Sequence, residues 1–336
     1  LCVAVAFAMA VFTCLRLRAH SRKKRFGQSR PTSKHAVSVK EPLLKVLKSN
    51  ERSGLSRRQV LVAAPLLFGV NGLVAAQEPS PMEKIKSRGV LKVAVYKDNA
   101  PYSSGPNADI QGLDVALARA LAAKLNLQLA LLPFDAGENM NDDLRNMVWK
   151  GHYLGYGPAD VMIHVPVDRY LMNENKQVLI FGSYVREHLV VLHSVTKLPH
   201  VQNPEDLQGK TIAVEKGSGA ASALMGYRGG MLREKISIFK DGVDAAKMVT
   251  TGQFDAAYVS RAQAEAAVHA ASDKSAWVLS SVALPGVMPA GWPLGLAVKA
   301  DNKELATALD GALSALRQSG ELLKLFQSHG LTLAAP

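Results

Sequence analysis

The chain has 336 residues, 48% of them hydrophobic, and a formal charge of +12 at pH 7, a size typical of about two globular domains. The charge lies at one end, because residues 1–76 hold 14 of the 40 Lys/Arg and 2 of the 28 Asp/Glu, which leaves 26 of each in residues 77–336. A neutral body does not attract a polyanion, so nucleic acid is excluded as a partner. Both cysteines, Cys2 and Cys14, lie in the basic end. No disulfide, metal site, cofactor or catalytic residue is predicted in the remainder, whose seven histidines show no metal-binding spacing.

Residues 1–76 have the pattern of a targeting leader. Arg57 and Arg58 precede a weakly apolar run, and small residues stand before Gln77, which is typical of a twin-arginine export signal cleaved after Ala76. The predicted location is therefore the periplasm. Because residues 1–40 contain no acid and resemble an organelle transit peptide, the thylakoid lumen of a plastid is the alternative, and an over-extended reading frame would also explain this stretch.

The first half of the body alternates strands and helices. Strands are predicted at residues 91–95 and 127–131, and a helix that opens at Gly112 carries leucines every four residues. A second helix at 142–150 precedes an apolar strand that begins at Asp160 and ends at the segment His164-Val165-Pro166. This order predicts a doubly wound α/β unit.

The same alternation returns after a crossing near residues 184–192. The predicted elements are strands at 211–215, 236–239, 254–259, 277–279 and 295–299, and helices at 243–251, 261–271, 303–318 and 321–328. The prediction is an α/β fold of two lobes with a hinge and an interlobe cleft. Residues 77–186 and 286–336 form lobe 1, and residues 187–285 form lobe 2.

Two features at strand ends predict an anion site. Arg169 lies just past a strand's carboxyl end, where its guanidinium offers a fork of donors to a carboxylate or phosphate. A solvated arginine paired with Asp168 or Glu174 is the alternative. The turn Gly217-Ser218-Gly219 offers backbone N–H groups at a helix start, whereas its mismatch to the dinucleotide fingerprint argues against a Rossmann site.

The series of motifs resembles the family 3 extracellular solute-binding proteins, the amino-acid-type periplasmic binding proteins. The matching segments are residues 91–95 with 101–102, 112–118, 160–169, 206–210 with 217–219, 252–256 and 295–330. The resemblance implies a periplasmic-binding-protein type II fold whose lobes close on a small solute delivered to a membrane transporter, and it implies a monomer without enzymatic activity. The residues predicted to bind the solute are Asp98, Tyr102, His164, Arg169, Gly217, Ser218, Gly219 and Ser260.

Departures from the family pattern limit the class of solute that is predicted, and they leave alternatives for the partner and for the function. Ser260 stands where the amino-acid binders carry the acid that holds the α-amino group, so an anionic or polar solute without this group is predicted. The longer segments 149–158 and 171–177 resemble the J-type proteins associated with quinoprotein dehydrogenases, so such a dehydrogenase is an alternative partner to a permease. A prephenate or arogenate dehydratase on the same fold, with Asp98, Glu215 or His164 as its acid, and an assembly factor without a ligand are the alternative functions.

Overall fold

The computed structural model of the chain describes residues 78–336. The predicted leader, with Arg57, Arg58 and the cleavage site, lies outside the described residues. No helix between residues 78 and 336 has both the length and the apolar character that a membrane crossing requires.

Residues 78–187 form four α-helices and six strands. The helices are α1 (Pro81–Arg88), α2 (Leu113–Lys124), α3 (Met140–Leu144) and α4 (Arg169–Glu174). The strands are β1 (Val90–Tyr96), β2 (Asp98–Asn99), β3 (Ser103–Ser104), β4 (Gln128–Phe134), β5 (Val161–Pro166) and β6 (Val178–Glu187). The N-terminus of α1 has a capping box between Ser80 and Glu83 with Pro at its first position, which is why the helix begins there.

The segment from residue 189 to residue 280 forms five strands and three α-helices. The strands are β7 (Leu189–Ser194), β8 (Ile212–Glu215), β9 (Ile236–Phe239), β10 (Ala256–Ser260) and β11 (Trp277–Ser280). The helices are α5 (Gly219–Gly226), α6 (Gly242–Thr250) and α7 (Arg261–Ala270). Each of these helices has a Ser or Asp as its N-cap, which accepts a backbone N–H of the first turn.

The chain then returns to the first lobe through β12 (Trp292–Lys299), α8 (Lys303–Gln318) and α9 (Glu321–Ser328). The first lobe holds a sheet with the order β4-β1-β5-β12-β6, and the second holds a sheet with the order β11-β7-β10-β8-β9. In the first sheet β1 is parallel to β4 and β5, whereas β12 is antiparallel to both of its neighbours. The mixed α/β fold with two lobes is confirmed.

Both sheets are covered on both faces. In lobe 1, α2, α8 and α9 pack against one face, where Leu113, Leu117 and Leu121 belong to the core. Leu144 and Met147 lie in a separate core cluster with Met162 of β5. Two further clusters cover the sheet of lobe 2, so the central strands of each lobe are buried, as a doubly wound sheet requires.

Several element boundaries differ from the prediction for tertiary reasons. The helix predicted at 142–150 is α-helical only to Leu144 and continues as a π-helical turn, Arg145–Trp149. Pairing of Val165 and Pro166 with β12 extends β5 beyond its predicted apolar run, with His164 as an unpaired residue inside the strand. The same partner strand extends β6 back to Val178. Helix α4 was not predicted; Asp168 caps its N-terminus by accepting the backbone N–H of Leu171 at 2.9 Å.

Candidate functional site

The carboxyl ends of strands from the two lobes face each other across a cleft. Asp98 follows β1 in lobe 1 and Lys240 follows β9 in lobe 2, and Lys240 Nζ lies 3.3 Å from Asp98 Oδ2. The turn at Gly217 adjoins this point, because β8 pairs with β9 and the backbone N–H of Lys216 donates to the Phe239 carbonyl at 2.8 Å. This edge of an open α/β sheet is where ligands bind.

A bulge in β5 places His164 at this edge. Val165 faces Gly295 and Ile163 faces Leu296, so His164 is an extra residue without a partner in β12. Its φ is +69°, a left-handed conformation that costs a non-glycine residue free energy and often occurs at functional sites. The bulge turns the imidazole out of the regular alternation of the strand.

A second irregularity, in β6, lies across β12 from the first. Val185 faces Leu294 and Phe181 faces Leu296, so the three residues 182–184 lie opposite Gly295 alone. Gly182 has a φ of +62°, and a Cβ on Gly295 would overlap the Phe181 carbonyl oxygen. Glycine at these two positions therefore permits the bulge that carries Tyr184.

The two bulges bring His164 and Tyr184 to one buried carboxylate. Asp114, which is 1% exposed in the first turn of α2, has Oδ2 at 3.0 Å from His164 Nδ1 and accepts the Tyr184 hydroxyl at Oδ1 at 2.7 Å. The backbone N–H of Asp114 donates to the Tyr102 carbonyl at 2.8 Å. Burial, and then the negative charge of Asp114, raises the pKa of Tyr184 well above its ordinary value. Tyr184 is therefore a donor to Asp114 at physiological pH.

A second buried carboxylate, Glu187, joins this cluster to the hinge. The Tyr102 ring lies 4.4 Å from the His164 ring between centroids, and the Tyr102 hydroxyl donates to Glu187 at 2.5 Å. The backbone N–H groups of His188, at 3.0 Å, and of Ala262 in α7 also donate to Glu187. Burial raises the pKa of Glu187, and the Tyr102 hydrogen bond offsets part of that effect. Glu187 thus connects lobe 1, the crossing and lobe 2.

The serines on the lobe 2 side serve as helix caps. The Ser218 hydroxyl donates to the Glu215 carbonyl at 2.8 Å and accepts from Ala221 N at 3.1 Å at the start of α5. The Ser260 hydroxyl accepts from Gln263 N at 3.3 Å, and Gln263 Oε1 accepts from Ser260 N at 3.0 Å. Gln263 Nε2 also donates to the Glu215 carboxylate at 3.0 Å, and burial raises the pKa of this carboxylate. Both hydroxyls are already engaged within lobe 2.

The structure places the predicted site residues in four separate positions. Tyr102 and His164 belong to the buried cluster, and Asp98 pairs with Lys240 at the cleft mouth. The residues on the lobe 2 side are those of the glycine turn and the α7 cap, namely Gly217, Ser218, Gly219 and Ser260. Arg169 is the first residue of α4, is exposed, and its guanidinium makes no hydrogen bond or ion pair within residues 78–336.

Sequence reasoning missed Asp114, Tyr184, Glu187 and Lys240. The motif Gly112-Leu113-Asp114 contains Asp114, but an acid in the first turn of a helix is common. Its functional role depends on which side chains face it, and the motif does not show them. Tyr184 and Glu187 lie within the predicted crossing near residues 184–192. No sequence pattern around Lys240 indicates a functional role. Across residues 78–336 no group of three or more His, Cys, Asp or Glu side chains is arranged to hold a metal ion.

The two α/β lobes and the cleft between their strand ends define the two-lobed fold of the solute-binding proteins. Among solved structures, the ancestral cationic amino acid solute binding protein AncCDT-1 is 22% identical with a TM-score of 0.57, and the match covers 74% of this chain and 99% of that one. The amino acid ABC transporter substrate-binding protein AbpA from Streptococcus pneumoniae, solved bound to L-arginine, is 23% identical with a TM-score of 0.51, over 74% and 97% of the two chains. At this identity the likeness shows the fold alone, and it confirms the two-lobed α/β fold that the resemblance implied.

Comparisons of sequence match parts of the chain to one family and to curated relatives. The profile of the family described as NMT1/THI5 like matches residues 160–285. The membrane-bound lytic murein transglycosylase F of Stutzerimonas stutzeri is 26% identical over 268 residues, which are 76% of this chain and 49% of that protein. Its namesake from Vibrio parahaemolyticus is 36% identical over 77 residues, 23% and 14% of the two chains. The chain spans about half the length, or less, of these curated relatives.

Proposed function

We propose that the body of this chain is an extracytoplasmic, monomeric solute-binding protein that captures a small anionic or polar solute between its lobes. The observation that carries the proposal is the opposition of strand carboxyl ends, with Asp98 of lobe 1 reaching Lys240 of lobe 2. A cleft of this kind, with polar groups at its rim and a buried polar cluster behind it, suits reversible binding. Its partner would be an ABC-type permease or a quinoprotein dehydrogenase.

Donors on both lobes support an anionic solute. Arg169 has its guanidinium free of protein partners within the described residues. At the start of α5 the backbone N–H groups of Gly219 and Ala220 likewise have no protein acceptor in the part of the chain described, whereas those of Ala221 and Ser222 are taken by Ser218. A guanidinium and a helix start both favour a carboxylate or a similar group.

The lobe 2 side favours a solute without an α-amino group. An ammonium needs an acidic partner when it is buried, because its unpaired burial costs several kcal/mol. Ser260 supplies no charge, and its hydroxyl already accepts from Gln263. An ordinary zwitterionic amino acid is therefore expected to bind weakly.

Calorimetry on the full chain tests this proposal, after mass spectrometry has identified the solute that copurifies from the native host. Arg169→Ala is expected to weaken binding of that solute by about 2–5 kcal/mol. Arg119 is an exposed arginine on α2 whose side chain makes no hydrogen bond or ion pair in the described residues, so Arg119→Ala is the control and should bind normally. Submicromolar affinity for an ordinary amino acid, or unchanged affinity of Arg169→Ala, would show that the site is wrongly placed.

An acid–base enzyme on the same fold is the second candidate, favoured by the contact between His164 and Asp114. A second solved structure of AncCDT-1, 22% identical with a TM-score of 0.52, describes that protein as an ancestral amino-acid-binding protein and a precursor of cyclohexadienyl dehydratase. Turnover of prephenate or arogenate by the full chain, lost in His164→Asn, would establish the enzyme and replace the binding protein.

A further inference from the structure

The geometry around His164 points to the hydrogen-bonding character of the solute: we propose that the uncharged form of His164 carries its proton on Nδ1, where Asp114 and Tyr184 hold it. Nε2 then faces the cleft as an acceptor, and the solute presents an O–H or N–H donor to it. This inference rests on the proposed function and deepens it. It predicts a hydroxylated anion rather than a simple carboxylate.

The proton position follows from the partners of Asp114. An ionised carboxylate accepts hydrogen bonds and donates none. Asp114 Oδ1 accepts a hydrogen bond from the Tyr184 hydroxyl at 2.7 Å, and Asp114 Oδ2 lies 3.0 Å from His164 Nδ1. If Nδ1 were unprotonated, its lone pair would face a buried carboxylate oxygen. The Tyr184 proton cannot satisfy both acceptors, because its oxygen lies 3.4 Å from Nδ1 and is closer to Asp114. Nδ1 therefore carries the proton.

The position of Nε2 follows from the burial of the ring. The His164 side chain is 17% exposed, whereas Asp114, against which Nδ1 lies, is 1% exposed. The exposed part of the ring is the part turned away from Asp114, where Nε2 lies. No residue among 78–336 hydrogen-bonds to Nε2. The rings of Tyr102 and Tyr96 meet the imidazole at steep angles, with centroids at 4.4 and 6.3 Å, and these contacts restrict its rotation.

The surroundings of His164 are mostly negative or neutral. Asp114 and Glu187 are the neighbouring carboxylates, and Tyr102, Tyr184 and Tyr96 are the neighbouring phenols. A solute donor at Nε2 adds no negative charge to this region, whereas a carboxylate placed there would lie near both acids. The anionic end of the solute is therefore expected at Arg169 or at the α5 turn, and a hydroxyl or N–H at His164.

Imidazole nitrogen NMR on the full chain tests the proton position without any solute. At pH 8, His164, assigned by its disappearance in His164→Asn, is expected to show a protonated Nδ1 and an unprotonated Nε2. Asp114→Asn should shift this distribution toward a protonated Nε2, because the amide donates to Nδ1. A protonated Nε2 in the unsubstituted protein, or no change in Asp114→Asn, would overturn the proposal.

Calorimetry with matched acids tests the predicted preference for a solute that carries a hydroxyl group. Malate against succinate and lactate against propionate differ by one hydroxyl each, and the hydroxy acid is expected to bind at least about tenfold more tightly. His164→Phe should abolish this preference, whereas a merely structural role would weaken both acids equally. Equal binding within each pair overturns the acceptor role. Binding of none of the four acids counts against the anionic-solute proposal instead, and the proton position of His164 then decides this inference by itself.

Discussion

The two lobes are connected very differently at the hinge and at the mouth of the cleft. At the hinge, the buried Glu187 accepts hydrogen bonds from Tyr102 of lobe 1 and from Ala262 of lobe 2. At the mouth, the lobes meet through Asp98 and Lys240, whose side chains are 59% and 83% exposed. A buried carboxylate that accepts several hydrogen bonds resists separation of the two lobes, whereas an exposed ion pair contributes little to holding them together. The structure therefore favours opening at the mouth about a fixed hinge.

The segment after α9 adds a further connection on the hinge side. Leu331 is buried in the core of lobe 1, where Ala262 of α7 also packs. The backbone N–H of Thr332 donates to Glu265 of lobe 2 at 2.7 Å, and the backbone N–H of Arg186 donates to the Ala334 carbonyl at 3.2 Å. The predicted lobe boundaries imply that the chain crosses between the lobes twice, near residues 186 and 286, and this segment adds a further connection on the hinge side.

Glu187→Ala is expected to give the largest effect, a loss of about 3–5 kcal/mol in the free energy of unfolding. Removal of the carboxylate leaves the Tyr102 hydroxyl and two backbone N–H groups without their acceptor, and each unsatisfied buried group is costly. Urea unfolding measures the loss. Glu187→Gln, which keeps one acceptor oxygen, should lose less; equal losses in the two variants would contradict this account.

Glu187 should also make the stability of the folded protein depend on pH. Burial raises the pKa of Glu187 in the folded protein, so the folded state binds this proton more tightly than the unfolded state does. The resulting stabilisation is fully present below the unfolded pKa and is lost as the pH rises through the folded pKa. The stability of the unsubstituted protein relative to Glu187→Gln should therefore decrease between mildly acidic and neutral pH; a constant difference would argue against a raised pKa.

Gly291→Ala should cost about 2–4 kcal/mol. Gly291 has a φ of +65°, and a Cβ there would overlap the Glu187 backbone oxygen, so both backbone strain and a steric clash oppose the substitution. Gly286→Ala is the matched control, because Gly286 has a φ of +82° but an open environment. Thermal unfolding of the two variants isolates the clash, and equal losses would show that no contact with the hinge is involved.

Leu331→Ala should destabilise the protein by roughly 2–3 kcal/mol through the cavity it leaves in the core. Leu331 is 4% exposed, whereas Leu323 on α9 is 45% exposed, so Leu323→Ala provides a control expected to change stability little. Small-angle scattering should show a larger radius of gyration for Leu331→Ala if this segment also limits lobe opening. A radius equal to that of the unsubstituted protein would restrict Leu331 to a core role.

Asp98→Asn should give the smallest change in stability, within about 0.5 kcal/mol, because the ion pair with Lys240 is exposed. Its effect is expected in the opening of the mouth, measured as the distance between spin labels on the two lobes. Raising the salt concentration should widen this distance in the unsubstituted protein and leave Asp98→Asn unchanged. A stability loss of several kcal/mol would show that the mouth is not the weak side.

The elements that the sequence predicted well are those fixed by local physics. Helices α8 and α9 lie where the apolar spacing and the Gly320 interruption place them, and strand β9 has its predicted bounds. Local caps such as Asp241 and Ser260 mark the starts of α6 and α7. The alternation of these elements was sufficient to predict two α/β lobes, because strand and helix periodicity are properties of neighbouring residues.

The site required the tertiary structure. The bulges at His164 and at Gly182 arise from pairing with Gly295, more than a hundred residues away, and they decide that two side chains reach Asp114. The contacts of Glu187 with Tyr102 and of Asp98 with Lys240 also join distant residues. A sequence specifies which residues can donate, accept or carry charge. Which of them meet is set by strand register and lobe packing, because those depend on long-range pairing that no local pattern encodes.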